Sequence, residues 1–235
     1  MEKDIFGTAI KEYYHSKKEV EIKVLSNDFD EDIIPVPYLF RSYADMPKIE
    51  QIALSLSKGK VLDVGCGAGC HSLYLQNSKN LKVTAIDTSQ GAIEIVKAQG
   101  LKNAFHQNFY DCNEKFDTIL LLMNGTGIIG KLDNFEVFFN QLKQLLNEGG
   151  QVLIDSSDLI YLYENEDGEF WVDINEGYYG EMQYQLSYNN ETSDTFDWLY
   201  LDYNTLESAA HINGFACEVI YTGDHYDYLA KLSLL

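Results

Sequence analysis

The stretch VLDVGCGAG at residues 61–69 decides the fold. Its first four residues are a short, mostly apolar run that favours a buried strand, and Gly65, Gly67 and Gly69 follow at alternate positions. Glycine lets a chain turn sharply out of a strand and lets a ligand approach the backbone closely. We therefore predict a ligand-binding turn at the carboxyl end of a strand.

An acidic residue follows this turn at a spacing that is typical of ribose-binding sites. The next apolar run, residues 81–86, ends at Asp87, which stands 22 residues after Gly65. An acid about 20 residues beyond a glycine turn is the usual partner of a ribose diol. The pair of features predicts an adenosine-type nucleoside lying across the ends of the first two strands.

The details of the turn favour a cationic ligand over a dinucleotide. A dinucleotide fingerprint requires Gly at position 70, which is Cys here, and Asp63 adds a negative charge where a pyrophosphate would be repelled. No Gly-Lys-Ser/Thr follows the turn, so the mononucleotide phosphate loop is also excluded. An NAD-dependent oxidoreductase remains an alternative, although no acid/base residue for a hydride site is identifiable.

The remaining pattern predicts an α/β sheet followed by an irregular segment. Strands are predicted at residues 61–64, 81–86, 104–106, 117–123 and 152–154, with helices between them. The last of these helices, marked by Phe135 to Leu146, is predicted to end at Gly149-Gly150. Beyond Asp158 we predict a hairpin from residues 180–188 and 196–203, a helix around 206–212, and a final antiparallel pair at 216–221 and 228–234.

Taken together, these motifs resemble class I S-adenosylmethionine-dependent methyltransferases. The resemblance covers roughly residues 40–158 and 204–235, including the 61–69 turn, Asp87, the run from Phe116 to Gly125 and the run from Leu145 to Gly150. It implies a Rossmann-like, seven-stranded, mostly parallel sheet with an antiparallel last strand, helices on both faces and an extra β-hairpin lid. Residues 1–45 would be an N-terminal lid or extension, residues 46–235 the methyltransferase-like domain, and residues 159–203 the inserted hairpin.

The resemblance also implies which residues hold S-adenosylmethionine. Asp63 and the backbone of Gly65, Cys66, Gly67, Ala68 and Gly69 would hold the methionine moiety, Asp87 with Thr88 the ribose, Asn108 and Phe109 the adenine, and Met123, Asn124 and Gly125 the region of the sulfonium methyl. The family commonly has Asp where Asn108 stands. The stretch LMNG at residues 122–125 resembles small-amine N-methyltransferases and lacks the Pro-Pro-Tyr of nucleic-acid and protein-amide enzymes.

Four residues are candidates for contacts to the methyl acceptor, each with a plainer reading. Arg41, beside Tyr38, either pairs with a carboxylate of the cofactor or substrate, or forms a surface ion pair. Asp155 could act as a base or bind an amine, and its plainer interpretation is a residue that caps a turn. Tyr178 either lines the lid or packs on the sheet. No catalytic residue is assigned, because methyl transfer from a sulfonium depends mainly on alignment and desolvation.

The charge composition limits which partners the protein is expected to bind. The 235 residues carry a formal net charge of -20, so a nucleic-acid partner is not expected, because such partners require a basic face. The acidity is concentrated in residues 151–235, which contain 17 acids, 11 of the 17 tyrosines and one base, Lys231. This stretch either faces a cationic substrate or is a solvated surface.

Sparse cysteines and short apolar runs indicate a cytoplasmic protein with no membrane partner. Cys66, Cys70 and His71 are too few to predict a metal site. The sequence does not indicate an oligomeric state. The expected function is methyl transfer to a small molecule, with an amine as one candidate; a non-catalytic S-adenosylmethionine-binding module is a further alternative.

Overall fold

A computed structural model describes residues 3–27, 29–165, 167, 169–171 and 177–235. The helices are α1 (Ile5–Ser16), α2 (Lys48–Leu56), α3 (Cys70–Asn77), α4 (Gln90–Ala98), α5 (Phe135–Leu145) and α6 (Tyr203–Ile212). The strands are β1 (Glu21–Ser26), β2 (Asp32–Pro35), β3 (Lys60–Val64), β4 (Lys82–Asp87), β5 (Ala104–His106), β6 (Phe116–Leu121), β7 (Leu146–Ser157), β8 (Glu181–Tyr188), β9 (Glu191–Thr192), β10 (Phe196–Leu199), β11 (Phe215–Thr222) and β12 (Asp227–Leu234).

The main sheet has seven strands in the order β11-β12-β7-β6-β3-β4-β5. Strands β7, β6, β3, β4 and β5 are parallel, whereas β12 runs antiparallel to both of its neighbours, β7 and β11. The predicted Rossmann-like sheet with its antiparallel last strand is confirmed. Its chain order changes direction between β3 and β6, and ligands of such sheets bind beyond the carboxyl ends of the strands at this point.

A second, antiparallel sheet stands beside the first, in the order β10-β8-β1-β2, with β9 paired to β8. The predicted hairpin is present as β8 and β10. Lys23 to Ser26 of β1 pair with Tyr184 to Ser187 of β8, so the N-terminal extension and the hairpin form one structure.

Two predicted boundaries are wrong for identifiable reasons. Helix α5 ends at Leu145, before the glycine pair, and β7 begins at Leu146 because this strand extends back to pair with Phe116. Strand β6 ends at Leu121, because Met123 and Asn124 adopt φ values of 65° and 61°, which a strand does not contain.

Close packing joins the second sheet to the main one. Gly127 lies against the indole of Trp198, where a Cβ would overlap the ring. Nearby, the Thr126 hydroxyl donates to the Leu199 carbonyl at 2.9 Å, and the Leu201 amide donates to Ser156 Oγ at 2.9 Å. The second sheet is therefore fixed against the carboxyl ends of β6 and β7.

Candidate functional site

The glycine turn leaves β3 as the sequence predicts. Gly65, Gly67 and Gly69 have φ values of 69°, 53° and 85°, a region that residues with a Cβ rarely occupy. The amides of Gly65 and Cys66 both donate to the Ile86 carbonyl, at 2.9 and 3.1 Å, which fixes the turn against β4. A Cβ at Gly65 would meet nothing within 4 Å, so the outer side of the turn is open.

Asp87 lies at the end of β4, beside this turn, and is 8% exposed. Its Oδ2 accepts the Gly67 amide at 2.8 Å and its Oδ1 accepts the Ser89 amide at 2.8 Å. Burial raises the pKa of Asp87, and the two amide donors partly oppose this rise. Each carboxylate oxygen still has a lone pair for another donor, which suits a pair of adjacent hydroxyls.

Asp63 lies deeper inside the protein than we expected for a residue that contacts the ligand directly. It is 2% exposed, and its Oδ2 accepts the Ser72 hydroxyl at 2.6 Å, which ties β3 to the first turn of α3. Burial raises its pKa, and the charge of His71 and the Ser72 hydrogen bonds oppose that rise. Within this structure Asp63 positions the start of α3 behind the glycine turn.

The residues predicted to flank ribose and adenine behave differently from one another. Thr88 is exposed, and its carbonyl oxygen lies 2.9 Å from His106 Nε2. Asn108 is exposed and accepts the Tyr110 amide at 2.9 Å, whereas the Phe109 ring is 1% exposed and packs in the core against Phe138. Phe109 is therefore a core residue at this edge of the sheet, and its carbonyl accepts the side-chain amide of the buried Gln141 at 2.8 Å.

A strained turn follows β6. The carboxylate of Asp155, on the neighbouring strand β7, accepts the Met123 amide at 3.0 Å and the Gly125 amide at 2.8 Å. Asn124 accepts the Ser156 hydroxyl at 3.0 Å. Burial raises the pKa of Asp155 to about 6, with the two amide donors acting in the opposite direction. Asp155 thus holds the Met123–Gly125 turn, as its capping interpretation predicts, and leaves Met123 40% exposed at the strand ends.

A buried ionic cluster joins the N-terminal segment to α2 and α3. Arg41 and Glu50 are 8% and 3% exposed, and Arg41 Nη2 lies 2.5 Å from Glu50 Oε2. His71 Nε2 lies 2.8 Å from the same oxygen. Arg41 also donates to the Tyr38 carbonyl at 2.7 Å, and its guanidinium lies 4.0 Å from the Tyr38 ring centroid. Arg41 is therefore not the surface ion pair considered from the sequence.

The members of this cluster shift one another's pKa values. Burial by itself would raise the pKa of Glu50, but hydrogen bonds from His71 and Arg41 lower it. Burial would lower the pKa of His71, but contacts with Cys70 and Glu50 raise it well above its ordinary value. The sequence did not identify Glu50, because Glu50 looks like any other polar residue of an amphipathic helix. The one signal that could have identified it is Arg41, a residue of opposite charge nine positions earlier.

Tyr178 has a structural position. Its hydroxyl donates to Asp202 Oδ2 at 2.7 Å and accepts the Asp202 amide at 2.9 Å, and its ring packs against the core.

Among the described residues no group of His, Cys, Asp and Glu has the arrangement of a metal site, and no helix there is long and apolar enough to cross a membrane.

Comparison with known proteins gives the family. A family model described as "Methyltransferase domain" matches residues 38–216. The chain belongs to this methyltransferase family. The match confirms the resemblance drawn from the motifs and includes the glycine turn, Asp87, the ionic cluster and the inserted strands.

Solved structures agree with this assignment. A SAM-dependent methyltransferase from Bacteroides fragilis, solved in complex with S-adenosyl-L-homocysteine, is 48% identical with a TM-score of 0.93 over 99% of this chain and 95% of that one. The methyltransferase CcbJ from Streptomyces caelestis, at 13% identity, has a TM-score of 0.59 over 82% of this chain and 94% of that one, and shows a shared fold alone.

Curated relatives match over shorter regions. Ribosomal RNA small subunit methyltransferase C of Citrobacter koseri is 35% identical over 108 residues, 42% of this chain and 31% of its own length. Ubiquinone biosynthesis O-methyltransferase of Rickettsia conorii is 27% identical over 116 residues, 46% of this chain and 38% of its own length. The chain thus spans about a third of the curated relatives it matches.

Proposed function

We propose that this protein transfers a methyl group from S-adenosylmethionine to a small-molecule acceptor. The observation that carries the proposal is the glycine turn with the Asp87 carboxylate fixed beside it by the Gly67 and Ser89 amides. The similarity to the Bacteroides fragilis enzyme, solved with S-adenosyl-L-homocysteine, supports the choice of cofactor because it extends over nearly the whole chain.

The residues present fit this cofactor. The outer side of Gly65 is open, which allows a ligand to reach the backbone. Asp87 would accept the ribose hydroxyls, the backbone of residues 65–69 would border the methionine moiety, and Asp63 would act through Ser72 rather than by contact. Thr88 and Asn108 would border the ribose and adenine, and the buried Phe109 would support this border from the core. When bound, S-adenosylmethionine supplies a methyl group already activated by its sulfonium.

The chain's own contribution is alignment and exclusion of water. Asp155 fixes the Met123–Gly125 turn, which would border the reacting methyl. Helix α1 lies beside the glycine turn at Gly67, with the Phe6 ring 3.8 Å from the position of a Cβ on that residue, while Gly65 stays open. A closed, oriented site is what an in-line displacement requires, so an acid–base residue is needed only if the acceptor must lose a proton.

Charge favours a small acceptor over RNA. The matches to ribosomal RNA methyltransferases cover between 42% and 53% of this chain, and its net charge of -20 opposes binding to phosphates. A product assay tests the proposal. With labelled S-adenosylmethionine, we expect S-adenosylhomocysteine to accumulate when a fraction of small metabolites is added, and not when RNA is added. Accumulation with RNA alone would contradict the small-molecule acceptor, and no turnover with either would favour the non-catalytic binding module.

The NAD-dependent alternative makes a different prediction. A ligand that binds only the folded state raises the unfolding temperature. We expect S-adenosylhomocysteine to raise it and NAD, at the same concentration, to leave it unchanged. A rise with NAD alone would overturn the cofactor assignment.

A further inference from the structure

Tyrosines surround one carboxylate where β7 ends and β12 begins. We define the aromatic–acid cluster as Tyr161, Tyr179, Tyr226 and Asp158. The rings of Tyr161 and Tyr226 are stacked, with centroids 5.5 Å apart and planes inclined at 28°, and the two residues are 41% and 45% exposed. Large aromatic surfaces exposed side by side are uncommon on a protein that has no use for them.

Asp158 holds this cluster together. Its amide donates to the Tyr226 carbonyl at 2.9 Å, and its Oδ1 accepts the Tyr179 hydroxyl at 2.7 Å and the Ile160 amide at 2.9 Å. Burial, followed by the hydrogen bond to Asp158, raises the pKa of Tyr179, so its hydroxyl remains a donor to this carboxylate. The cluster therefore combines a fixed acceptor group with two exposed aromatic rings.

Tyr226 is held in a strained conformation. Its φ is 61°, a left-handed value that aromatic residues rarely adopt. Met123 and Asn124, in the turn after β6, share this strain. Strained residues of this kind concentrate where a fold presents side chains to a ligand.

The cluster lies at the same edge of the main sheet as the turn assigned to the reacting methyl. Asp155 holds Met123 and Gly125 from β7, and Asp158 follows directly after the end of that strand. Ser157 of β7 is paired with Asp227 of β12, which places Tyr226 beside it. Because β6 and β7 are parallel, their carboxyl ends share one edge, so an acceptor bound at the Met123–Gly125 turn lies at the edge that carries Tyr161 and Tyr226.

Positive charge that could oppose a cation is neutralised around this edge. Arg41 is buried against Glu50, and Lys231, the one Lys or Arg in residues 151–235, pairs with Glu218. The surrounding stretch carries 17 acids. An anionic acceptor would meet a negative field here, whereas a cation would be attracted.

We propose that the aromatic–acid cluster binds a positively charged nitrogen of the methyl acceptor, so that the substrate class is compounds that carry an alkylammonium group. The proposal rests on the proposed function for the identity of the acceptor site. Aromatic ring faces attract such cations, and Asp158 adds a negative charge at the same place. A neutral aromatic acceptor would use the same rings without needing the charge.

A matched pair of probes separates these cases. Choline and its neutral carbon isostere 3,3-dimethylbutan-1-ol have the same shape and differ in charge. With ligand-observed NMR titration we expect choline to bind roughly threefold to thirtyfold more tightly, the range for a cation on aromatic faces. Equal affinity for the two probes would overturn the proposal and indicate a site for neutral acceptors.

Substitutions locate the effect. Tyr161→Leu keeps apolar bulk but removes the ring, and is expected to bring choline to the affinity of its isostere; Tyr161→Phe keeps the ring and the preference. Tyr203→Phe is the control outside the cluster, since Tyr203 lies on α6 and this change removes only the hydroxyl that donates to Glu207. A preference unchanged in Tyr161→Leu would refute the assignment. Titration of each variant with S-adenosylhomocysteine reports the proposed function separately, because the probes bind without cofactor.

Discussion

Three buried carboxylates, Asp63, Asp87 and Asp155, lie toward the carboxyl ends of strands β3, β4 and β7, and burial raises the pKa of each. Each accepts hydrogen bonds from hydroxyl or backbone donors, so none is left without a partner. A buried anion costs free energy even when hydrogen-bonded. The fold retains three of them where the backbone turns that border the ligand have to be fixed.

The pH dependence of the free energy of unfolding tests whether the pKa of Asp155 is raised in the folded state. Its pKa of about 6 in the folded state exceeds the unfolded value, so the folded state binds more protons between about pH 4 and 6. The contribution of Asp155 to the free energy of unfolding should therefore fall by up to about 3 kcal/mol as pH rises through this range. Denaturant unfolding of the wild type and Asp155→Asn, compared from pH 4 to 7, measures the difference.

Asp117 supplies the control. Hydrogen bonds from the Lys60 amide and Asn147 lower its pKa, so its stabilising contribution is present at neutral pH and is lost as pH falls through the folded-state pKa. Between pH 4 and 7 Asp117→Asn should therefore differ from the wild type by a constant amount, because the contribution of Asp117 changes only at lower pH. If Asp155→Asn and the wild type had parallel curves, the raised pKa of Asp155 would be disproved.

At the scale of elements, the attachment of α1 to α4 bears on access to the cofactor cleft. Asp4 caps α1 by accepting the Gly7 amide at 2.8 Å, and it also accepts the Ser89 hydroxyl and the Gly91 amide, both at 2.7 Å. Gly91 contacts Gly7 so closely that a Cβ there would lie 2.7 Å from Gly7 Cα. One carboxylate thus serves the N-termini of two helices, an arrangement that the helix dipoles favour.

Asp4→Ala should weaken this attachment. We expect a loss of about 1–3 kcal/mol in the free energy of unfolding and faster amide hydrogen exchange in α1, because three donors lose their acceptor. Lys11→Ala removes only an exposed ion pair between the same helices, with Glu94, and should lower the free energy of unfolding much less than Asp4→Ala does. Equal exchange rates in the two variants would contradict the role of Asp4.

The contact between Gly127 and Trp198 tests how the second sheet is attached. In Gly127→Ala the new methyl would overlap the indole, so Trp198 has to move toward solvent. The chain has two tryptophans, and in a Trp171→Phe background the emission reports Trp198 alone. We expect Gly127→Ala to shift that emission to longer wavelength. An unshifted spectrum in a folded variant would mean that the contact is not tight.

The molecule as a whole is acidic, although some of its relatives are named as ribosomal RNA methyltransferases. Non-specific RNA binding depends on neutralising phosphates, and its dissociation constants are typically about 1–100 µM at physiological salt. With a net charge of -20 we expect no saturable binding of a labelled RNA up to about 100 µM protein by fluorescence anisotropy. Saturable binding that weakens with added salt would contradict the proposal of a small acceptor.

The sequence predicted the main sheet well because its signals are local. Each strand of residues 61–154 is an apolar run ended by a turn, and the glycine turn and Asp87 stand at a fixed spacing. The second sheet could not be predicted in the same way, because β1 pairs with β8 across most of the chain. The Arg41–Glu50 pair was missed for the related reason that burial depends on how α2 packs, which periodicity does not specify.

The most direct test of the central claim is isothermal titration of S-adenosylhomocysteine into the wild type, Asp87→Ala and the exposed-site control Asp133→Ala. The account predicts one site in the wild type and in the control. It predicts affinity about tenfold to a hundredfold weaker in Asp87→Ala, because a carboxylate that accepts the ribose hydroxyls is lost. No heat of binding to the wild type at millimolar ligand, or an unchanged affinity in Asp87→Ala, would contradict it.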